Sequence, residues 1–198
     1  MVPALFAARA RLAAARFARA PLPCGGETPC VVRASGARAT KGRLSVGAIT
    51  LACALGRSGV TRSKREGDGK TVTGVFPVLF GFYRPDRMVR PRTRLPMVPL
   101  SPELGWCDAP GHPAYNRPVG LPFDTSHERM WRDDGLYDVV LVPDVNVLAP
   151  VAGRGSALFI HIARPGYTPT EGCIAVSRRD MGLLLDRVGP ETPLVVSV

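Results

Sequence analysis

No run of apolar residues in this chain reaches the ~20 that a membrane-spanning helix needs, and the longest candidate, Ser45 to Gly56, falls well short. Acidic residues are nearly missing from the N-terminal third. Residues 1–65 hold 12 Lys or Arg against one acid, Glu27, whereas residues 66–198 hold 14 bases and 15 acids. The net charge of +10 therefore belongs to one segment. The remainder lacks the ordered basic patch of a nucleic-acid-binding domain, and no nucleic-acid partner is expected. The five cysteines (Cys24, Cys30, Cys53, Cys107 and Cys173) fit no zinc-binding spacing, so neither metal nor cofactor is expected. Two disulfides and one free thiol are arithmetically possible in an exported chain. Unpaired buried thiols are the simpler reading, above all for Cys53 inside its apolar run. No internal repeat is present.

Glycine and proline are abundant, at 21 and 20 residues. That density interrupts long helices and favours short strands and turns. With 45% apolar residues over 198 positions, a single mostly β domain with a real core is expected. Residues 1–38 are Ala- and Arg-rich, and Arg9, Arg11, Arg16 and Arg19 break every apolar run. No clean signal-peptide core forms there. This stretch reads as a basic extension outside the fold, with the domain at 39–198.

Within the domain, residues 41–56 carry two short apolar runs around Gly47-Ala48, the pattern of a β-hairpin. Arg57 to Gly69 reads as a surface loop and Val72 to Tyr83 as strand. Arg84 to Arg94 holds five arginines and two prolines. It is either an exposed loop or a site for carboxylate or phosphate groups. Leu104 to Phe123 is a long irregular stretch of the kind that forms binding faces. Asp124 to Asp134 has room for a short helical turn. Strands are expected over Tyr137–Val142, Ala157–Ile162 and Leu194–Val198. Between the last two, Ser177 can cap a helix over Arg178–Val188.

Chemistry concentrates in Ser156 to Val176. An apolar run leads into His161, a Gly/Pro loop follows, and the loop ends in Gly172-Cys173 and a second apolar run. Such a layout can bring a thiol and a base to neighbouring strand ends. A free thiol has a pKa near 8.5, so a base or a positive field must hold it as thiolate. His161 can serve as that base. Backbone N–H groups of Gly172 and Cys173 can form an oxyanion hole. On pattern alone, a core cysteine and a core histidine explain the same residues. His127 is a rival base, and His112 a weaker one. Glu171 can orient His161 or a substrate amine, or stand in solvent. A carboxylate close to Cys173 would raise the thiol pKa. Arg164 and His127 join Glu171 as candidate substrate-binding residues.

Three stretches together resemble the L,D-transpeptidase (YkuD) catalytic domain family. They are His161 with Thr170-Glu-Gly-Cys173-Ile-Ala, the loop Lys64-Arg-Glu-Gly-Asp-Gly-Lys-Thr71 leading to Phe76, and the capped helix followed by Gly189-Pro-Glu-Thr-Pro-Leu-Val-Val. The resemblance spans about 41–198. It implies a β-sandwich-like catalytic domain with a short C-terminal helix. It also implies a cysteine acyltransferase that acts on peptidoglycan stem peptides in the bacterial cell envelope (periplasm), with roles in cell-wall biogenesis and cell shape. The Cys173 thiolate would attack the third stem residue, a diamino acid, and terminal D-Ala would leave. An amine of a second stem or a protein lysine would resolve the thioester. His161 would manage the protons, its other nitrogen held by a backbone carbonyl just after it. Carbapenem-type inhibitors are implied ligands. An export signal is not evident.

Four departures mark a divergent subgroup. The spacer after His161 is short, Glu171 stands where a second histidine is usual, Ala175 where Arg or Asn is common, and Val72 where proline is usual. They leave open an L,D-carboxypeptidase or a non-catalytic cell-wall binding module. A cytosolic cysteine hydrolase is a third alternative.

Overall fold

The computed structural model describes residues 28–190 and 192–198. Strands β1 (Cys30–Ala34), β2 (Lys41–Val46) and β3 (Ile49–Ala54) form an antiparallel meander. β2 and β3 are the expected hairpin. Val46 pairs with Ile49 across a two-residue turn whose first residue, Gly47, sits at φ +57°. Glycine takes this left-handed conformation without steric cost. Short β4 (Val60–Thr61) and β5 (Thr71–Val72) pair in parallel and clamp the loop between them.

The ten-residue β6 (Gly74–Tyr83) closes the sheet. Its first part pairs with β14 (Pro193–Ser197), from Val196 opposite Gly74 to Pro193 opposite Pro77. Its second part pairs with β11 (Val139–Pro143), from Pro143 opposite Val78 to Val139 opposite Tyr83. The remaining links run through β12 (Ile160–Ile162) and β13 (Ile174–Val176) to β3, β2, β1 and back to β14. The mostly β class holds, and the sheet closes on itself as a barrel where a sandwich-like fold was expected. β7 (Met97–Pro99) extends it beside β6.

β1 revises the expected boundary at 39. Its register is fixed between β2 and β14, and Cys30, Val32 and Ala34 point into the core. Two valines in a five-residue strand were too short a signal against the Arg-rich stretch before them. Residues 1–27 of the expected extension lie outside the described residues. Cys30, Cys53, Cys107 and Cys173 are all free thiols, and all are buried.

Two apolar layers result. One fills the barrel with Val32, Leu44, Leu141, Ile160, Ile174 and Val196. It is capped by helix α1 (Arg178–Leu185), whose Met181, Leu184 and Leu185 are buried. Ser177 Oγ accepts from the Asp180 N–H at 3.1 Å, as the capping pattern predicts. The other layer lies outside, between the barrel wall and a small antiparallel sheet. That sheet is β9 (Pro118–Gly120), β8 (Leu104–Cys107) and β10 (His127–Arg129), with β8 in the middle. β10 replaces the expected helical turn, because His127 to Arg129 pair with Cys107 to Gly105. Trp106 meets Phe82 and Phe159 edge-on, at 6.5 and 5.1 Å between centroids. No helix among the described residues is long and apolar enough to cross a membrane.

Leu44 is fully buried and pairs with Val32 and Leu51 on the strands beside it. Leu44→Ala should cost about 2–5 kcal/mol of folding stability. Urea unfolding should show a lower midpoint with an unchanged slope.

Candidate active site

β12 and β13 run parallel, with His161 opposite Ala175 and Ile160 opposite Ile174. Side chains alternate along a strand. Ile160 and Ile174 therefore enter the barrel, while Phe159, His161, Cys173 and Ala175 share the outer face, beneath the second apolar layer. Cys173 is the residue just before β13, so it sits diagonally across from His161. Such diagonal positions lie about 7–8 Å apart between strands, within reach of long side chains. The expected pair is brought to one face.

The Cys173 turn is tied at several points. Thr170 Oγ1 donates to the Cys173 carbonyl at 2.6 Å and accepts the Gly172 N–H at 3.2 Å. Thr71 Oγ1 donates to the same carbonyl at 3.4 Å. Gly172 has φ +133°, and a Cβ there would stand 2.9 Å from the Lys70 carbonyl oxygen. Glycine is required by conformation and by space. Of the two expected oxyanion donors, the Gly172 N–H is already engaged by Thr170.

The thiol is held on its other side. Cys173 Sγ donates to the Ala157 carbonyl at 3.2 Å and accepts the Phe159 N–H at 3.3 Å. Ala157 has φ +49°, a left-handed conformation that a non-glycine residue adopts only when its surroundings impose it. Here Asn116 imposes it. Asn116 is fully buried, and its Oδ1 accepts from Ala157 N–H at 3.1 Å and Trp106 Nε1 at 2.8 Å. Its Nδ2 donates to the carbonyls of Val145 and Asn146 at 3.2 and 2.6 Å.

His161 is 7% exposed, and its Nδ1 donates to the carbonyl of Ile162 at 2.9 Å, the bond expected from the sequence. That bond fixes the tautomer with Nε2 as the acceptor. Burial pushes the imidazole down to about 4, against the Ile162 bond, and Arg132 and Arg164 push the same way. Burial pushes the Cys173 thiol up to about 12, opposed by the Phe159 N–H. Burial therefore favours the neutral form of both groups.

The other candidates are placed as follows. Glu171 is exposed and takes both its contacts from Arg57 Nε, at 2.9 and 2.7 Å, so it does not orient His161. Arg164 is exposed, 3.6 Å from Asp134, on the His161 side. His127 is not brought to the thiol. Its ring packs on Phe123, 5.9 Å between centroids. Its neighbour Glu128 is the β10 side chain that bonds to Tyr137 and acts on Cys173. His112 likewise packs on Phe123. The Arg84–Arg94 stretch is partly structural. Arg84 is buried over the Trp131 ring at 3.6 Å, and Arg87 pairs with Asp138 at 2.7 Å.

Sequence reasoning gave no site role to Lys64, Asn116, Glu128 or Tyr137. Tyr137 meets the His161 ring edge-on at 5.3 Å, and burial raises its phenol well above the usual range. Only Lys64 carried a signal, its place at the head of the loop that resembles the family's.

The sequence model of the YkuD family, the L,D-transpeptidase catalytic domain, matches residues 33–196. No curated protein and no solved structure matches the chain.

A histidine buried in its neutral form has a pH signature. Its folded pKa of about 4 lies below the unfolded value near 6.5, so between these pH values the unfolded chain binds more protons. The His161 contribution to stability is therefore intact above pH ~6.5 and is lost as pH falls toward 4. His161→Gln should flatten this part of the profile, by on the order of 3 kcal/mol between the two ends. Thermal unfolding of both chains across this range measures the difference.

Proposed function

Because the chain belongs to the YkuD family of L,D-transpeptidase catalytic domains, we propose that it is a cysteine acyltransferase acting on peptidoglycan stem peptides in the bacterial cell envelope. Cys173 is the nucleophile and His161 the proton carrier. The observation that carries this reading is the shared outer face of the parallel β12–β13 pair. It sets the thiol diagonal to an imidazole whose Nδ1 is fixed on Ile162, with Nε2 left as acceptor.

In the proposed reaction the Cys173 proton passes to His161 Nε2. The sulfur then bonds to the carbonyl carbon of the stem's third residue, and the carbonyl electron pair moves onto oxygen. In this reaction the Cys173 N–H donates to that oxyanion, and the Gly172 N–H joins it only by leaving Thr170 Oγ1. Collapse restores the carbonyl, breaks the C–N bond to the terminal D-Ala and gives its nitrogen the proton from His161. The product is a thioester. An amine acceptor, from a second stem or a protein lysine, then bonds to the same carbon. His161 takes the amine proton, the C–S bond breaks and the sulfur regains a proton. Water in the place of the amine makes the same site an L,D-carboxypeptidase.

Intact-mass measurement after incubation with a tetrapeptide stem or a carbapenem tests the nucleophile. The chain should gain the mass of the acyl group, and Cys173→Ala should gain none. An adduct that persists in Cys173→Ala overturns the assignment. A chain that gains no mass with either reagent is a binding module. With stems and an amine acceptor, cross-linked product indicates transfer, and shortened stems indicate hydrolysis.

A further inference from the structure

The resting site poses an electrostatic problem. Thiol and imidazole are both buried, and burial favours the neutral form of each. Moving the proton between them separates charge in an apolar layer, so a fixed charge must support the sulfur. Glu128 on β10 and Glu171 ahead of β13 oppose a thiolate. Tyr137 and His161 face it as neutral groups, the phenol held protonated by burial. Arg132 and Arg164 act on the imidazole. Arg132 is tied to Glu128 at 2.9 Å and Asp134 at 2.6 Å, and Arg164 lies 3.6 Å from Asp134.

Two further cations lie against the Cys173 turn. Arg57 is exposed and engaged by Glu171. Lys64, from the loop between β4 and β5, is 6% exposed. Its Nζ lies 3.2 Å from where a Cβ on Gly172 would stand. Its stem passes Gly155, where a Cβ would come within 2.8 Å of Lys64 Cγ and 3.0 Å of Cε. Two glycines with positive φ, +95° and +133°, thus clear a path for one buried lysine to the residue before the nucleophile. The loop is built to hold it there. Lys64 Nζ pairs with Asp68, whose carboxylate also accepts the N–H groups of Arg65 and Lys70, each at 2.9 Å. Glu66 accepts from Ser156 Oγ at 2.8 Å and from Tyr115, which anchors the loop to the segment leading into β12.

We infer that the Lys64 ammonium is the charge that stabilises the Cys173 thiolate: a positioning residue that acts on the nucleophile through its field, with Asp68 moderating that field. The inference rests on Cys173 being the nucleophile. The direction in which Lys64 acts on the thiol agrees with it, since the ammonium lowers the thiol pKa where the two carboxylates raise it. Burying a lysine is costly unless it is paired, and Asp68 supplies the pair. Pairing alone needs no approach to Gly172, because Asp68 lies in the same loop.

The test follows thiolate chemistry well below the thiol pKa, where the rate tracks the thiolate fraction. The rate at which iodoacetamide alkylates Cys173, read by intact mass against the Cys173→Ala counterpart, is measured between about pH 7 and 9. Circular dichroism reports the fold of each chain. Lys64→Met should slow alkylation by roughly 10-fold or more, and Lys64→Arg should stay close to the parent. Asp68→Asn should speed it, by a smaller factor. A purely structural lysine predicts no change in Lys64→Met, or changes of one sign in both variants, and either result overturns the proposal. If Lys64→Met does not fold, Asp68→Asn decides alone, and an unchanged or slower rate there overturns it. Alkylation needs no stem peptide, so its outcome is independent of whether the chain acylates. Loss of the acyl-enzyme reading would show instead as an absent mass gain in the parent chain.

Discussion

The constraint on which the site depends is that two reactive side chains share one face of a parallel strand pair without facing water. β12 and β13 place Cys173 and His161 on the outer wall of a barrel, and the small β8–β10 sheet covers that wall. Burial gives the site its specificity of geometry, because every polar atom nearby must find a protein partner. The Ile162 carbonyl takes Nδ1, the Ala157 carbonyl takes the thiol proton and Thr170 takes the Gly172 N–H. Burial also opposes charge on either group, so in the proposed reaction a fixed charge has to offset that desolvation.

Much of this was legible in sequence because it was local. The hairpin around Gly47, the helix after Ser177 and the His161–Cys173 spacing each reside in fewer than about twenty residues, where periodicity and turn chemistry speak directly. β1 was not legible, since a single short strand gains its meaning only from partners at 41–46 and 193–197. Barrel closure was not legible either. It depends on β6 dividing its length between β14 and β11, a division that no pattern within β6 announces. The strand at His127 lost to a helical reading because a three-residue β10 is defined by pairing with β8.

The site showed the same division. Cys173 and His161 stood out by residue type and by the loop between them. Asn116 did not, because an asparagine among prolines reads as a turn. Its four hydrogen bonds join Trp106, Val145, Asn146 and Ala157, segments far apart in the chain. Glu171 misled in the other direction. Adjacency to Cys173 in sequence suggested adjacency in chemistry, yet the Gly172 conformation turns it outward to Arg57. Lys64, more than a hundred positions upstream, reaches that turn from a different loop.

β14 completes the ring between β1 and β6, and it is the last strand in the described chain. During translation the barrel therefore stays open until residues 193–197 have cleared the ribosome. Through that interval β1 and the first half of β6 carry bare edges, the kind of surface that recruits stray strands. Closure therefore waits on β14, and until it docks those two edges can pair with any other strand that reaches them.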